Sequence, residues 1–196
     1  MSIRVLGVDP GLTRCGVGVV DVEPSRKVKL VSVDVFKSET NLDAASRVGK
    51  IGAMLAELID SVKPESIAIE RVYADSNVST VMGTAQISGV VMFLANQRGI
   101  PVTLHTPTEV KAAVTGSGRA NKEQVGKMVA SILGLKEVPK PADAADSLAI
   151  AICHAWRALA VGSGTYSESI TPAQKAWRAA ELAAQNQGKH NGSANR

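Results

Sequence analysis

Four carboxylates in this sequence stand where an ordinary fold gives them little reason to be. Asp9 follows the apolar run of residues 3–8, and Glu70 follows a second apolar run that starts at residue 66. A charge at the end of such a run is costly unless it is paired or bound to a metal. Asp143 and Asp146 are three residues apart just after Pro141, so they share one face of the first turn of a helix. Taken singly, most of these acids have a plain structural explanation. Asp9-Pro-Gly11 makes a turn by itself, and acids at a helix N-terminus cap it and suit its dipole. Glu70 is harder to account for, because glutamate is poor in an apolar strand. Brought to one point, the four would make a hard, all-oxygen site suited to Mg²⁺ or Mn²⁺. Two such ions about 4 Å apart can activate a water and stabilise the leaving oxygen of a phosphodiester. The chemistry expected is metal-dependent phosphodiester hydrolysis with two Mg²⁺ per site, Mn²⁺ being a possible substitute.

The elements that must position these acids are legible as changes of period. Residues 3–8, 15–22 and 28–36 read as strands, the third alternating Val28, Leu30, Ser32 and Asp34 against Lys29, Val31, Val33 and Val35. Their short connections favour antiparallel pairing. Val48, Ile51, Leu55, Leu58, Ile59 and Val62 then fall on one helical face, which Lys63-Pro64 ends. Residues 66–71 read as a short buried strand, 78–97 as a helix and 101–105 as a strand. Helices follow at about 107–114, 121–133 and 142–160. Three antiparallel strands followed by strands separated by helices imply one five-stranded mixed sheet, an α/β domain with helices on both faces. Residues 1–160 are expected to form that domain. Residues 161–196, rich in Gln, Asn and Lys, are expected to be a basic, mostly disordered tail.

Composition narrows the classes. The chain has 196 residues, 45% hydrophobic and 20% charged, with a net charge of +4, enough for one α/β domain with a real core. Cys15 and Cys153 form no CxxC pair and have no histidine cluster nearby, which argues against a disulfide scaffold or a structural zinc and fits a reducing cytoplasm. No run reaches the ~18 apolar residues of a membrane span, and the N-terminus does not read as a signal peptide.

At this point the motifs carry a resemblance. Gly7-Val-Asp9-Pro-Gly-Leu-Thr13-Arg-Cys-Gly16, Ile67-Ala-Ile-Glu70-Arg71-Val-Tyr73, Thr106-Pro-Thr-Glu-Val-Lys111, Gly116-Ser-Gly118-Arg-Ala-Asn-Lys122 and Asp143-Ala-Ala-Asp146-Ser-Leu-Ala149-Ile-Ala-Ile-Cys-His154 occur in that order over residues 1 to about 158. They resemble the RuvC family, bacterial Holliday-junction resolvases. The resemblance implies an RNase H-like fold, a homodimer and paired, Mg²⁺-dependent nicking of four-way junction DNA in recombination and repair. It also implies the RuvA–RuvB branch-migration complex as a partner. It makes Asp9, Glu70, Asp143 and Asp146 the catalytic, metal-binding acids and places Lys111 and Lys122 against DNA. Tyr73 stands where the family is familiar with a phenylalanine that stacks on a base near the junction point.

Other features fit the same reading. Base–aromatic stacking contributes about 1–3 kcal/mol without sequence preference, which suits Tyr73 holding an unpaired base. Arg71, Lys111, Arg119, Lys122 and Lys127 could lie beside the acids and hold phosphates, contacts that position DNA without reading it. Residues 76–97 carry no charge at all. Such a helix is either wholly buried or shared between a core and a partner, and Gly83, Ala85, Ser88 and Gly89 would let a second helix approach. A symmetric dimer is favoured, since a two-fold junction needs two matched sites. His154 lies two turns beyond Asp146, about 12 Å by helical rise, too far to share its metal. His105 gives no stronger signal. An ATP-binding domain of the actin, sugar-kinase and Hsp70 type shares the Asp-x-Gly-x-Thr turn, but it needs two such domains and lacks the late Asp-x-x-Asp pair. A short RNA-processing nuclease of the same fold lacks the long third helical region. A non-catalytic junction-binding protein has nothing in its favour while all four acids are in place.

Overall fold

A computed structural model describes residues 2–71 and 78–162. The tail expected from 161 onward therefore lies almost wholly outside the described residues, and Tyr73 lies outside them too. Five strands, β1 (Ile3–Asp9), β2 (Arg14–Val22), β3 (Val28–Lys37), β4 (Ser66–Glu70) and β5 (Val102–His105), form one sheet in the order β3-β2-β1-β4-β5. β1 pairs antiparallel with β2, and β2 with β3, while β4 runs parallel to both β1 and β5. The mixed sheet expected from the pattern is the one observed. The helices are α1 (Ala44–Val62), α2 (Val78–Gln97), α3 (Pro107–Thr115), α4 (Lys122–Leu133) and α5 (Ala142–Gly162).

The helices divide between the two faces. Leu6, Val8, Val17, Val19, Ile67 and Ile69 point to one side, where they pack on Ile51, Leu55 and Ile59 of α1 and Ile87 and Val91 of α2. Val5, Val20 and Ala68 point to the other, against Leu148 and Ile152 of α5, Val110 of α3 and Val129 of α4. Strand alternation sends neighbouring residues to opposite layers, and both layers are apolar, so the central strands read as unbroken hydrophobic runs.

Local chemistry sets the helix ends. Asp43 caps α1 by accepting from the Ser46 amide, and Lys63 closes it in the left-handed region at φ 49°. Thr106 with Glu109 and Asn121 with Gln124 form capping boxes at the starts of α3 and α4.

The third strand departs from its expected alternation. Val19 pairs with Ser32 but Val20 with Leu30, so Val31 is an extra residue bulged out of the ladder and left exposed. The bulge shifts the phase. Val28, Leu30 and then Val33 pack on the α5 side, whereas Phe36 turns to the α1 side.

The uncharged helix α2 settles between its two readings. Ile87, Val91 and Ala95 are fully buried, yet Met82, Met92 and Phe93 are exposed, Phe93 at 61%. The small residues are split as well. Gly83 is packed on Leu12, where a Cβ would stand 3.0 Å from the Leu12 Cβ, and Ser88 is buried. Ala85 and Gly89 lie on the exposed face with Met82 and Phe93. Among the described residues, no helix is long and apolar enough to cross a membrane.

Candidate active site

The four acids meet at one end of the sheet. Asp9 is the last residue of β1 and Glu70 the last of β4, and these parallel strands are paired through Val8 and Ile69 just before them. Both side chains leave on the α5 side, following the phase of Val5 and Ala68. The first turn of α5 brings Asp143 and Asp146 over the same end.

Glycines make that approach possible. Gly16 is the cross-strand partner of Asp9, and a Cβ on it would stand 2.2 Å from the Asp143 carbonyl oxygen. A Cβ on Gly7, one pleat back on β1, would stand 2.2 Å from the Ser147 carbonyl oxygen. Helix backbone rests directly on strand backbone here, which is how the acids of α5 reach Asp9. Gly18, two residues after Gly16 on β2, does the same further along, a Cβ there standing 2.9 Å from the Leu148 nitrogen, so the period-two glycines of β2 are the sequence signal of this approach.

Electrostatics show that the acids share one environment. Burial raises Asp9 to about 8, with Glu70, Asp146 and Asp143 adding to the shift and Lys122 opposing it. Glu70 is also raised, first by burial and then by Asp146. Lys122, a hydrogen bond with Asp9, and Lys111 pull it back. Lys122 Nζ donates to Asp146 Oδ2 at 3.0 Å, and that carboxylate holds its ammonium above the usual lysine value. Arg14 Nε lies 3.2 Å from Asp143 Oδ2, but not in line for a hydrogen bond, and this buried oxygen has no other partner among the described residues.

These observations bear on whether a metal fits. An all-carboxylate donor set is the one that hard divalent cations take. Asp9 is pushed up to about 8, first by burial and then by its acidic neighbours, and one Asp143 oxygen is buried without a hydrogen bond among the described residues. A bound cation would reverse both conditions, since its own charge becomes the largest in the site. Among the described residues, no three His, Cys, Asp or Glu side chains already form a ligating cluster. The acids surround the pit without closing on it as a finished cage.

The basic residues distribute unevenly. Lys122 touches an acid, and Lys111 is near enough to lower Glu70. Arg71 follows Glu70 directly, is exposed, and donates its backbone amide to the His105 carbonyl at 2.8 Å. Arg119 is exposed on the turn before α4, where Asn121 and Gln124 already occupy the capping positions. Lys127 does not join the acids. It pairs with Glu123 one turn back on α4, both side chains being largely exposed.

A buried histidine chain is the feature that the sequence did not reveal. His105 Nε2 and His154 Nδ1 are 3.1 Å apart, and His154 Nε2 is 3.1 Å from the Ser66 hydroxyl. Burial lowers both rings, His154 to about 4. One ring must donate and the other accept, so at least one is neutral, and burial disfavours charge on both. The residues are 39 and more positions apart in the chain, and only the sheet and α5 bring them together. Both cysteines are buried, and burial pushes each thiol up to about 12, which keeps them unreactive.

Comparison with known proteins agrees with this geometry. The sequence profile of crossover junction endodeoxyribonuclease RuvC matches residues 5–154. The crossover junction endodeoxyribonuclease RuvC of Leifsonia xyli subsp. xyli is 56% identical, over 92% of this chain and 93% of that protein. The protein of the same name from Paenarthrobacter aurescens is 56% identical, over 94% and 98%. Among solved structures, Thermus thermophilus RuvC is 38% identical with a TM-score of 0.74, covering 83% of this chain and 98% of that one. Its complex with a Holliday junction substrate gives 39% identity and a TM-score of 0.76, over 80% of this chain and 95% of that one. The five-stranded mixed sheet, the carboxylates gathered at its end and these matches together place the chain in the RuvC family of metal-dependent crossover junction endodeoxyribonucleases, with an RNase H-like fold.

Proposed function

We propose that this chain resolves four-way DNA junctions by paired, symmetric nicks, with Asp9, Glu70, Asp143 and Asp146 as its catalytic, metal-binding acids. The observation that carries the assignment is the pit itself. Four carboxylates from β1, β4 and α5 share one place, where burial, reinforced by Glu70, Asp146 and Asp143, pushes Asp9 up to about 8. Folding does not gather like charges in a half-buried place without a counter-charge to meet them there.

Two Mg²⁺ ions held by these acids would supply an activated water and stabilise the leaving oxygen of the cut strand. The chain's own residues do the rest. Asp9 and Glu70 stand on rigid strand ends and fix the floor of the site, while the first turn of α5 sets the opposite wall. Lys122 restrains Asp146 in the resting protein. With Asp146 engaged elsewhere, its ammonium is free for a phosphate at the cut strand. Lys111, Arg71 and Arg119 extend positive charge along the same side, and Tyr73 follows Glu70 closely enough to stack on a base there.

The exposed face of α2 supports a homodimer. Met82, Met92 and Phe93 stand out with Ala85 and Gly89 between them, an apolar stripe that a second copy would cover. Phe93→Asp is expected to give a monomer by light scattering, and unchanged dimer mass would refute this interface. By family resemblance, the protein works with the RuvA–RuvB complex on DNA in the bacterial cytoplasm.

The central test uses a synthetic four-way junction and a linear duplex, each with Mg²⁺ and with EDTA. Symmetric nicks near the crossover of the junction alone, abolished by EDTA, are expected. Equal cutting of the linear duplex would overturn the junction assignment.

A further inference from the structure

We infer a second DNA-backbone contact at the opposite edge of the sheet end, made by Lys37 and Arg47, which rests on the junction-binding reading above. The basic residues already discussed lie on the side of β4, α3 and α4. Lys37 and Arg47 lie on the other side of the Asp9–Arg14 turn, where β3 ends and α1 begins.

Arg47 is held in an uncommon way. Its Nε donates to the Ser38 hydroxyl at 3.0 Å and its Nη2 to the Thr13 hydroxyl at 2.7 Å. Ser38 is buried, and its hydroxyl donates in turn to the Leu12 carbonyl. Two hydroxyls therefore fix the guanidinium against the turn that carries Asp9, and no carboxylate among the described residues neutralises it. A guanidinium has five donors, so three remain for a ligand. A purely structural arginine would more usually be paired with an acid, as Arg4 is with Asp21 and Arg98 with Asp60 in this same fold.

Lys37 adds a second unneutralised cation. It stands directly across from Arg14 in the β2–β3 ladder, and like charges at that position repel. Arg14 is turned to Asp143, which leaves Lys37 exposed with no acid beside it among the described residues. The nearby carboxylates are committed elsewhere. Glu39 pairs with Lys50 at 2.6 Å, and Asp43 caps α1. Lys37 and Ser38 are consecutive, so Lys37 leaves one face of the sheet end and the Ser38–Arg47 pair leaves the other. The two cations bracket the strand end beside the pit. Each takes its own phosphate of the DNA arm that leaves the active site on this side, since a pinned guanidinium and an exposed ammonium suit phosphate oxygens.

Salt dependence tests this directly, because each phosphate contact contributes about 0.9 to the slope of log affinity against log salt. The full chain is measured in EDTA on a labelled four-way junction between 50 and 200 mM salt, as wild type, Lys37→Ala, Arg47→Gln and the double variant. Each single change is expected to lower the slope by about one and the double change by about two. Lys37→Glu covers the case in which Arg47→Gln fails to fold, since Lys37 supports no other residue, and it should weaken binding more than Lys37→Ala. Wild-type binding with an unchanged slope in Lys37→Ala and Lys37→Glu would overturn this contact alone. Absence of junction binding by the wild type would overturn the underlying reading with it.

Discussion

Helix α5 carries two polar clusters that could hardly be treated more differently. At its start, Asp143 has a buried oxygen without a hydrogen bond among the described residues, and burial, reinforced by the surrounding acids, holds Asp9 up to about 8. Two turns later His154 uses both ring nitrogens, one on His105 and one on Ser66. His154 is satisfied by the protein itself. The acids are only partly matched: Lys122 pairs with Asp146 and Arg14 lies beside Asp143, which leaves Asp9 and Glu70 without an ion pair among the described residues. Buried polar groups that are completed internally belong to the scaffold, whereas groups left incomplete at the mouth of a cleft belong to function.

The comparison can be broken most forcefully at Asp9. Asp9→Asn is expected to reduce junction cutting by on the order of a thousandfold, measured as single-turnover rate, while junction affinity in EDTA is retained. The same change removes a buried charge from the pit, so the metal-free variant should melt higher than wild type at pH 8. A lower melting temperature there would mean that the acids are not in conflict after all.

Gly16→Ala comes next. Its new methyl meets the Asp143 carbonyl at 2.2 Å, so the first turn of α5 must lift from β2. Such overpacking costs about 1–3 kcal/mol, read as a denaturant midpoint, and cutting should fall with it because two of the acids move. Full activity would show that the site tolerates a looser α5.

His154→Ala should separate the two clusters. It leaves Ser66 and His105 without their shared partner and should destabilise by about 1–3 kcal/mol. Cutting at saturating Mg²⁺ and at a temperature where the variant is folded should hardly change. A large loss of rate would bring the histidine chain into the active site.

The smallest effect is in the pH dependence of metal-free stability, where the clusters act in opposite directions over overlapping windows. Asp9 ordinarily titrates at 3.8 and in the fold at about 8, so the folded state holds an extra proton between those values. Its contribution is therefore lost as pH rises toward 8. His154 ordinarily titrates at 6.5 and in the fold at about 4, so the unfolded chain holds the extra proton there. Its contribution is lost as pH falls from about 6.5 to 4. In thermal melts of the metal-free protein, Asp9→Asn should remove the fall in stability between about pH 3.8 and 8, and His154→Ala the rise between about pH 4 and 6.5, and identical profiles would refute both assignments. Mg²⁺ should remove the loss toward pH 8 from the wild type.

Several elements are legible because their causes are local. The sequence places α2 over 78–97, the bounds the helix has, and the three antiparallel strands follow from short turns between apolar runs. The charge-free α2 announced a helix with two apolar faces, though not which face was which. Ser88 and Gly83 turned inward and Ala85 and Gly89 outward, a matter of helix rotation about its axis that packing on Leu12 decides. β3 misled because a bulge at Val31 breaks the alternation without any glycine or proline to mark it. The sequence allows Lys127 a place beside the acids, but helical spacing pairs it with Glu123 instead.

The sequence by itself determined the elements, their order and the four acids whose placement made poor sense in isolation. Periodicity, turn chemistry and the cost of a lone charge are all properties of a few neighbouring residues, and these the chain states openly. Only the tertiary structure decided that Gly16 lets Asp143 descend onto Asp9, that His105, His154 and Ser66 complete one another, and that Arg47 is seated on Thr13 and Ser38. Those are contacts between residues tens of positions apart, fixed by how a helix rests on a sheet, and no local pattern carries that information.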